Sequence, residues 1–161
     1  MGGIALNLST ANEVKVAVNE MRHKIQKAAP DAEIKGFLVE KMAPKGMEVI
    51  VGMRRDPNFG PLIMFGMGGV TVELYKDVGF GIAPLSAHQA MGMIQQTKAG
   101  QLLQGYRGGP VYDVDAVLNA IGRLGQLALD FPEIAEVEIN PLLVLPKGQG
   151  AKVLDARMIL A

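Results

Sequence analysis

The sequence predicts an α+β fold with a mixed, mainly antiparallel sheet and helices packed on one face. Three observations predict it. Short apolar runs rich in Val, Ile and Leu are bounded by Gly, Pro and Asn, as strands are. Other stretches repeat their apolar residues at three- and four-residue steps, as amphipathic helices do. The order is β-α-β-β-β-β-β-α-α-β-β, so strands cluster instead of alternating with helices, which argues against a doubly wound parallel sheet.

Residues 2–8 read as a first strand, centred on Ile4-Ala5-Leu6-Asn7-Leu8. Ser9 or Thr10 is placed to cap a helix with Glu13 in its first turn. Val14, Ala17, Val18, Met21, Ile25 and Ala28 form its apolar stripe, and Pro30-Asp31 ends it. Residues 34–42 and 47–53 read as the second and third strands. Ala43-Pro44-Lys45-Gly46 between them predicts a turn and an antiparallel pair. An irregular Pro57-Asn58-Phe59-Gly60-Pro61 leads to a strand over 62–65, a turn Gly66-Met67-Gly68-Gly69, a strand over 70–74 and another over 78–82. Ser86 is placed to cap a helix running to about Lys98, with 100–103 continuing as a short turn. Asp113 is placed to cap a longer one through Leu129, which Asp130-Phe131-Pro132 stops.

The last two strands carry the chemistry. Apolar residues on both sides of Pro146-Lys147-Gly148-Gln149-Gly150 signal a hairpin. Folding the chain about the Lys147–Gly148 bond sets Asn140 opposite Asp155. Cross-strand partners share a face, and alternation along the strand puts Glu138 on that face too. Two carboxylates and an amide oxygen then converge. Hard cations such as Mg²⁺ take oxygen ligands of this kind together with substrate phosphates. The same pattern also suits a hairpin whose outer face is simply polar and solvated, and a one-residue slip in register would part the groups.

Other motifs are less specific. Gly66-Met67-Gly68-Gly69 would let backbone amides approach a phosphate, or would serve only as a turn between strands. It is neither a Walker A loop nor a G-x-G-x-x-G dinucleotide fingerprint. Arg107 sits among glycines, where it could reach a phosphate or carboxylate. His23 and His88 read as solvated positions on helices.

The chain's 161 residues suit one compact domain with a sizeable core. Sixteen basic residues balance 16 acidic ones, which gives no support to a nucleic-acid partner or a polybasic membrane patch. There is no cysteine, so neither a disulfide framework nor thiolate chemistry is available, in keeping with a reducing cytoplasm. No apolar run reaches the length of a membrane span, and the N-terminus does not read as a signal peptide. The ten Met residues are expected to fill core gaps.

Taken in order, Asp56-Pro57-Asn58-Phe59-Gly60-Pro61, Phe65-Gly66-Met67-Gly68-Gly69, Glu73, Asp77, Pro84-Leu85, Leu103-Gln104-Gly105-Tyr106-Arg107-Gly108, Glu138-Ile139-Asn140-Pro141-Leu142 and Asp155-Ala156-Arg157 carry a resemblance. Nearly the whole chain resembles the C-terminal part of the ATP-grasp region of NDP-forming acyl-CoA synthetases. These are the ADP-forming acetyl-CoA synthetases, related to the β subunit of succinyl-CoA synthetase. The resemblance implies an ATP-grasp C-terminal lobe that binds ATP or ADP with Mg²⁺. It implies that Glu40, Lys41 and Met42 form the hinge that receives adenine and that Glu48 binds the ribose hydroxyls. Arg55 is implied as a phosphate contact, with Arg54 next to it an open alternative. Asn140 and Asp155 match the Mg²⁺ ligands, with Glu138 on the same strand face.

The resemblance also implies what lies outside these residues: the remaining ATP-grasp lobe with its phosphate-binding lysine, the CoA-binding and ligase domains or subunit, and the histidine that becomes phosphorylated. Neither His23 nor His88 matches that histidine. Residues 1–161 are therefore expected to be a single ATP-grasp subdomain excised from a larger cytoplasmic enzyme, without acyl-CoA synthetase turnover alone. The alternative is a non-catalytic nucleotide-sensing or assembly module of an acetyltransferase-type fusion protein.

Overall fold

A computed structural model describes residues 2–69 and 77–161. They fall into two compact units, Met1–Ala43 and Pro44–Ala161. The strand expected over 70–74, and Glu73 with it, lie outside the described residues.

The first unit contains helix α1, Ala11–Ala28. Thr10 is its N-cap, and its hydroxyl accepts the N–H of Glu13 at 3.2 Å. The Glu13 carboxylate accepts the N–H of Ser9, just before the cap, at 2.6 Å, so one orphan donor of the first turn and one of the entering chain are satisfied. Lys27 in the last turn complements the helix dipole. Arg22 stacks over the ring of Phe37 at 5.6 Å. The strands expected at residues 2–8 and 34–42 do not form: both stretches are coil, with Leu38 and Val39 exposed. A strand needs a neighbour to take its N–H and C=O groups, and no described strand pairs with either stretch. An alternating apolar pattern alone does not supply that neighbour.

Among the described residues of the second unit six antiparallel strands form one sheet. They are β1 Met47–Asp56, β2 Gly60–Met67, β3 Val78–Ile82, β4 Ile134–Val144, β5 Ala151–Val153 and β6 Ala156–Leu160. The order is β3-β2-β1-β4-β5, with β6 also paired to β4. Strand β1 is central, paired to β2 on one side and β4 on the other. The antiparallel partner expected for it from residues 34–42 is thus replaced by two others. Among the described residues three helices pack on one face: α2 Ala87–Gln95, α3 Lys98–Leu103 and α4 Val114–Asp130.

Val49, Val51, Met53, Ile63 and Phe65 cover that face and meet Ile94, Val117 and Ile121. Full burial of each such side chain is worth about 1.5–3 kcal/mol. Ser86 caps α2 and forms a capping box with Gln89. The helix expected to run on to Lys98 breaks at Thr97, which is buried. Thr97 gives its hydroxyl hydrogen to Ile94 O and caps α3 by accepting the Gly100 N–H. His23 and His88 are exposed, and among the described residues no helix is long and apolar enough to cross a membrane.

One irregularity sets up the site. Val49 pairs with Leu142 but Val51 with Ile139, so Asn140 and Pro141 together oppose Ile50 in a β-bulge. Without the extra residue Val137 and Leu142 would lie on opposite faces. With it both enter the core.

Candidate functional site

The ribbon formed by β4 with β5 and β6 keeps one register from Val144–Ala151 to Glu136–Ile159 and shifts only beyond it, at Ile134. Leu142 pairs with Val153 and Val144 with Ala151; beyond a bend at Leu154-Asp155, Ile139 pairs with Ala156 and Glu138 with Arg157. Between these ladders the Asn140 N–H donates to Asp155 O at 3.1 Å and the Leu154 N–H to Pro141 O at 3.0 Å. Asn140 therefore stands opposite Asp155, as the turn position predicts.

The turn is pinned from outside. Gly148 and Gly150 take φ of 80° and 81°, open to glycine. Lys147 donates its N–H to Val111 O at 3.1 Å. The buried Asp113 carboxylate accepts the N–H of Gly150 at 2.8 Å and, as N-cap of α4, the N–H of Ala116 at 3.2 Å. The Gly150 bond above all holds the Asp113 carboxyl below the usual carboxylate range, against its burial. The N–H groups of Ala116 and Gly148 and the charge of Lys147 assist.

Glu138, Asn140, Asp155, Ala156 and Arg157 line one open pocket of about 340 Å³. Asn140 directs Nδ2 to Glu138 Oε1 at 3.4 Å, and its Oδ1 accepts the N–H of Gly69 at 2.9 Å. One Asp155 oxygen accepts the N–H of Ala156 at 2.8 Å; the other meets no donor among the described residues. Arg157 places Nη2 2.6 Å from Glu136 and 3.4 Å from Glu138. Among the described residues no three His, Cys, Asp or Glu side chains cluster as a metal-binding group. Any cation here would depend on the amide oxygen of Asn140 as well as on carboxylates.

Glu48 is exposed on β1, and its carboxylate lies against Gly69 where a Cβ would project. Its carbonyl accepts the N–H of Gly68 at 3.0 Å. Gly69 thus touches both Glu48 and Asn140. The amides proposed as a phosphate cradle, those of Gly68 and Gly69, are instead given to these two residues. Glu40, Lys41 and Met42 are exposed on coil in the first unit.

Arg55 does not join the pocket. Its guanidinium donates to Ala128 O at 2.7 Å and to Phe131 O and Ile134 O at 3.3 Å each. Ala128 is in the last turn of α4, where carbonyls lack helical partners and the dipole is negative, so a cation is well placed there. The structure therefore does not bring Arg55, expected as a phosphate contact, together with Asn140 and Asp155. Arg54 is exposed on the opposite face, in register with Glu136.

Sequence reasoning did not set Arg157 in the pocket or Gly69 against Asn140. The fold about Lys147–Gly148 that sets Asn140 opposite Asp155 also sets Arg157 opposite Glu138, so the signal for Arg157 was present. Gly69 was singled out within its glycine-rich turn, but nothing in the sequence paired it with the distant Asn140.

A family model describing an ATP-grasp domain matches residues 1–160. The chain is 44% identical over 160 residues to ADP-forming acetate–CoA ligase I of Archaeoglobus fulgidus, covering 99% of this chain and 23% of that protein. It is 42% identical over 159 residues to the β subunit of ADP-forming acetate–CoA ligase I of Pyrococcus furiosus, covering 99% of this chain and 68% of that subunit. A solved structure of acetyl-coenzyme A synthetase 1 from Ca. Korarchaeum cryptofilum, in complex with coenzyme A and Ca-AMPCP, superposes with a TM-score of 0.84. It is 46% identical, over 99% of this chain and 69% of that one. A second structure of that enzyme holds coenzyme A and Mg-AMPPCP, with its phosphohistidine segment pointing towards the nucleotide-binding site; it gives 0.82 at 44% identity, over 99% and 68%. The chain spans about a quarter of the Archaeoglobus ligase. By these matches it belongs to the ATP-grasp family, on the branch found in ADP-forming acetate–CoA ligases.

Proposed function

We propose that this chain is the Mg²⁺–nucleotide-binding lobe of an ADP-forming acyl-CoA synthetase of the acetyl-CoA type. The complete enzyme would convert acyl-CoA, ADP and phosphate to free acid, CoA and ATP. In it this lobe would support phosphoryl transfer between nucleotide and a phosphohistidine outside these residues. The observation that carries the reading is the convergence of Glu138, Asn140 and Asp155 on one pocket.

The donor set fits Mg²⁺. It is all oxygen, and one Asp155 oxygen has no protein donor among the described residues. One lone pair of Asn140 Oδ1 remains beside the Gly69 bond. Asn140 and Asp155 would hold the ion, with Glu138 flanking them. A bound Mg²⁺ would neutralise phosphate charge during transfer. The chain's own part is positioning. The bulge at Asn140 and the pinned turn hold the two side chains in register, and Gly69 orients the amide. Glu48 would take the ribose hydroxyls and Glu40, Lys41 and Met42 the adenine. Residues 1–161 would act as one ATP-grasp subdomain of a cytoplasmic enzyme, beside the remaining lobe and the CoA-binding and ligase domains or subunit. The 23% coverage of the Archaeoglobus ligase supports that reading.

Calorimetric titration of Mg–ADP into this chain and its Asp155→Ala variant tests the reading. Binding that Asp155→Ala weakens by about tenfold or more is expected, since a lost charge-assisted ligand costs at least ~1.4 kcal/mol. Equal affinity in both would remove Asp155 from the site. CoA-dependent ATP consumption by the chain alone would contradict its assignment as a lobe.

A further inference from the structure

We infer that Arg157 is a phosphate-contacting residue of this site, which reads the terminal phosphate of the nucleotide; the inference rests on the Mg²⁺–nucleotide reading above. Among the described residues Arg157 is the only cationic one lining the pocket. It stands opposite Glu138 in the ladder and reaches diagonally to Glu136. Both of its bonds fall on Nη2, at 2.6 Å to Glu136 and 3.4 Å to Glu138. Nε and Nη1 have no protein partner among the described residues. The guanidinium fork therefore keeps an edge of N–H donors unspent, and such an edge matches two oxygens of a phosphate.

Charge argues the same way. Glu138 and Asp155 line the pocket and Glu136 lies beside it, so a nucleotide phosphate entering there meets three carboxylates. A cation on Asn140 and Asp155 offsets part of that repulsion, and Arg157 is the protein group placed to offset more. A purely structural role, tying β6 to β4, explains Arg157 less well. Its side chain is 63% exposed, and exposed ion pairs add little to stability. Glu136 and Glu138 meet the guanidinium through Nη2 alone, so neither consumes the fork.

The test is titration of Mg–ADP and of AMP into the wild-type chain and into Arg157→Gln, Arg157→Lys, Glu136→Gln and Asp155→Ala, with thermal unfolding of each. Arg157→Gln is expected to weaken Mg–ADP by about tenfold and AMP by less. Arg157→Lys is expected to fall between it and wild type, because a point charge replaces a fork. Glu136→Gln is expected to bind Mg–ADP as well as wild type or better, since it frees the guanidinium. Arg157→Gln within about twofold of wild type, while Asp155→Ala is weakened, overturns this inference alone. Equal weakening by Arg157→Gln and Glu136→Gln makes Arg157 a strut and overturns it as well. If Arg157→Gln fails to fold, Arg157→Lys and Glu136→Gln decide by the same criteria. No Mg–ADP binding by the wild-type chain overturns the nucleotide reading, and this inference falls with it.

Discussion

Asn140 Oδ1 accepts the backbone N–H of Gly69 at 2.9 Å, across 71 residues of sequence. The two ends of a side-chain amide are nearly the same shape, so an outside donor has to decide which way the oxygen points. Gly69 does this, while Glu138 receives Nδ2 on the other side. Gly69 has φ of 66°, and its missing side chain leaves room for the Glu48 carboxylate. One glycine thus joins the proposed ribose and cation residues.

Gly69→Ala should therefore impair the site more than the fold. The left-handed backbone costs an alanine roughly 1–2 kcal/mol. The new Cβ also displaces the Glu48 carboxylate, a flexible tip that can move away. Gly60→Ala is the control: its φ is 79°, but nothing lies within 4 Å of its Cβ position. Both variants are expected to lose similar stability in urea unfolding. Only Gly69→Ala is expected to lose several-fold in Mg–ADP affinity. Equal affinities in the two would detach the glycine turn from the site.

Asp113 makes the stability of the ribbon depend on pH. Its folded-state carboxyl is held below its ordinary value of 3.8. The folded state therefore favours the charged form. That stability is fully present above the ordinary value and is lost as pH falls through the lower folded-state value. In Asp113→Asn one oxygen becomes an NH₂ facing either the Gly150 or the Ala116 N–H, donor against donor. A loss of about 1.5–3 kcal/mol at pH 7 is expected, the range for hydrogen bonds to a charged group. The gap between variant and wild type should narrow below about pH 4. Chemical denaturation at pH 7 and pH 3 measures it; a gap that does not change with pH would contradict the assignment.

Arg55→Ala tests the role that the structure gives this arginine at the end of α4. Removing the guanidinium strips Ala128 O, Phe131 O and Ile134 O of a shared charged donor. A loss of about 1.5–3 kcal/mol in unfolding free energy is expected. Arg55→Lys should recover part of it, since a single ammonium restores charge at the helix end but cannot serve three carbonyls. Mg–ADP affinity should be unchanged in Arg55→Lys. A tenfold fall there would return Arg55 to the phosphate.

Local chemistry made much of this legible. Thr10, Ser86 and Asp113 cap helices where their sequence positions predict, because a cap is a bond between neighbours. The final ribbon was legible because a turn fixes the register of the ladder that follows it until a bulge interrupts, here as far as Glu136 and Ile159, which set Asn140 opposite Asp155. The strand expected at residues 34–42 was misread because pairing depends on a partner that pattern does not specify. The helix-end contacts of Arg55 were not legible because its acceptors lie more than 70 residues away, at a helix end that only the fold brings to it. The bond of Gly69 to Asn140 escaped for the same reason. The bulge at Asn140 left no mark beyond Pro141, yet it lets Val137 and Leu142 share the core.

The proposed cation ligands predict linkage between Mg²⁺ and heat stability. An ion that binds only the folded chain raises its unfolding free energy by RT ln(1 + [Mg²⁺]/Kd), about 1.4 kcal/mol at ten times Kd and about 2.7 at a hundred times. Wild type should therefore melt at a higher temperature as Mg²⁺ is raised at constant ionic strength. Asp155→Asn keeps an oxygen to accept the Ala156 N–H but removes the charge that attracts the ion. Its melting temperature without Mg²⁺ should stay near wild type, because the replaced carboxylate is exposed. Its rise with Mg²⁺ should shrink or vanish. Asn140→Ala should lose the rise too and also melt lower at zero Mg²⁺, since the Gly69 N–H loses its acceptor. If both variants gain as much from Mg²⁺ as wild type does, the stabilising ion sits elsewhere on the chain.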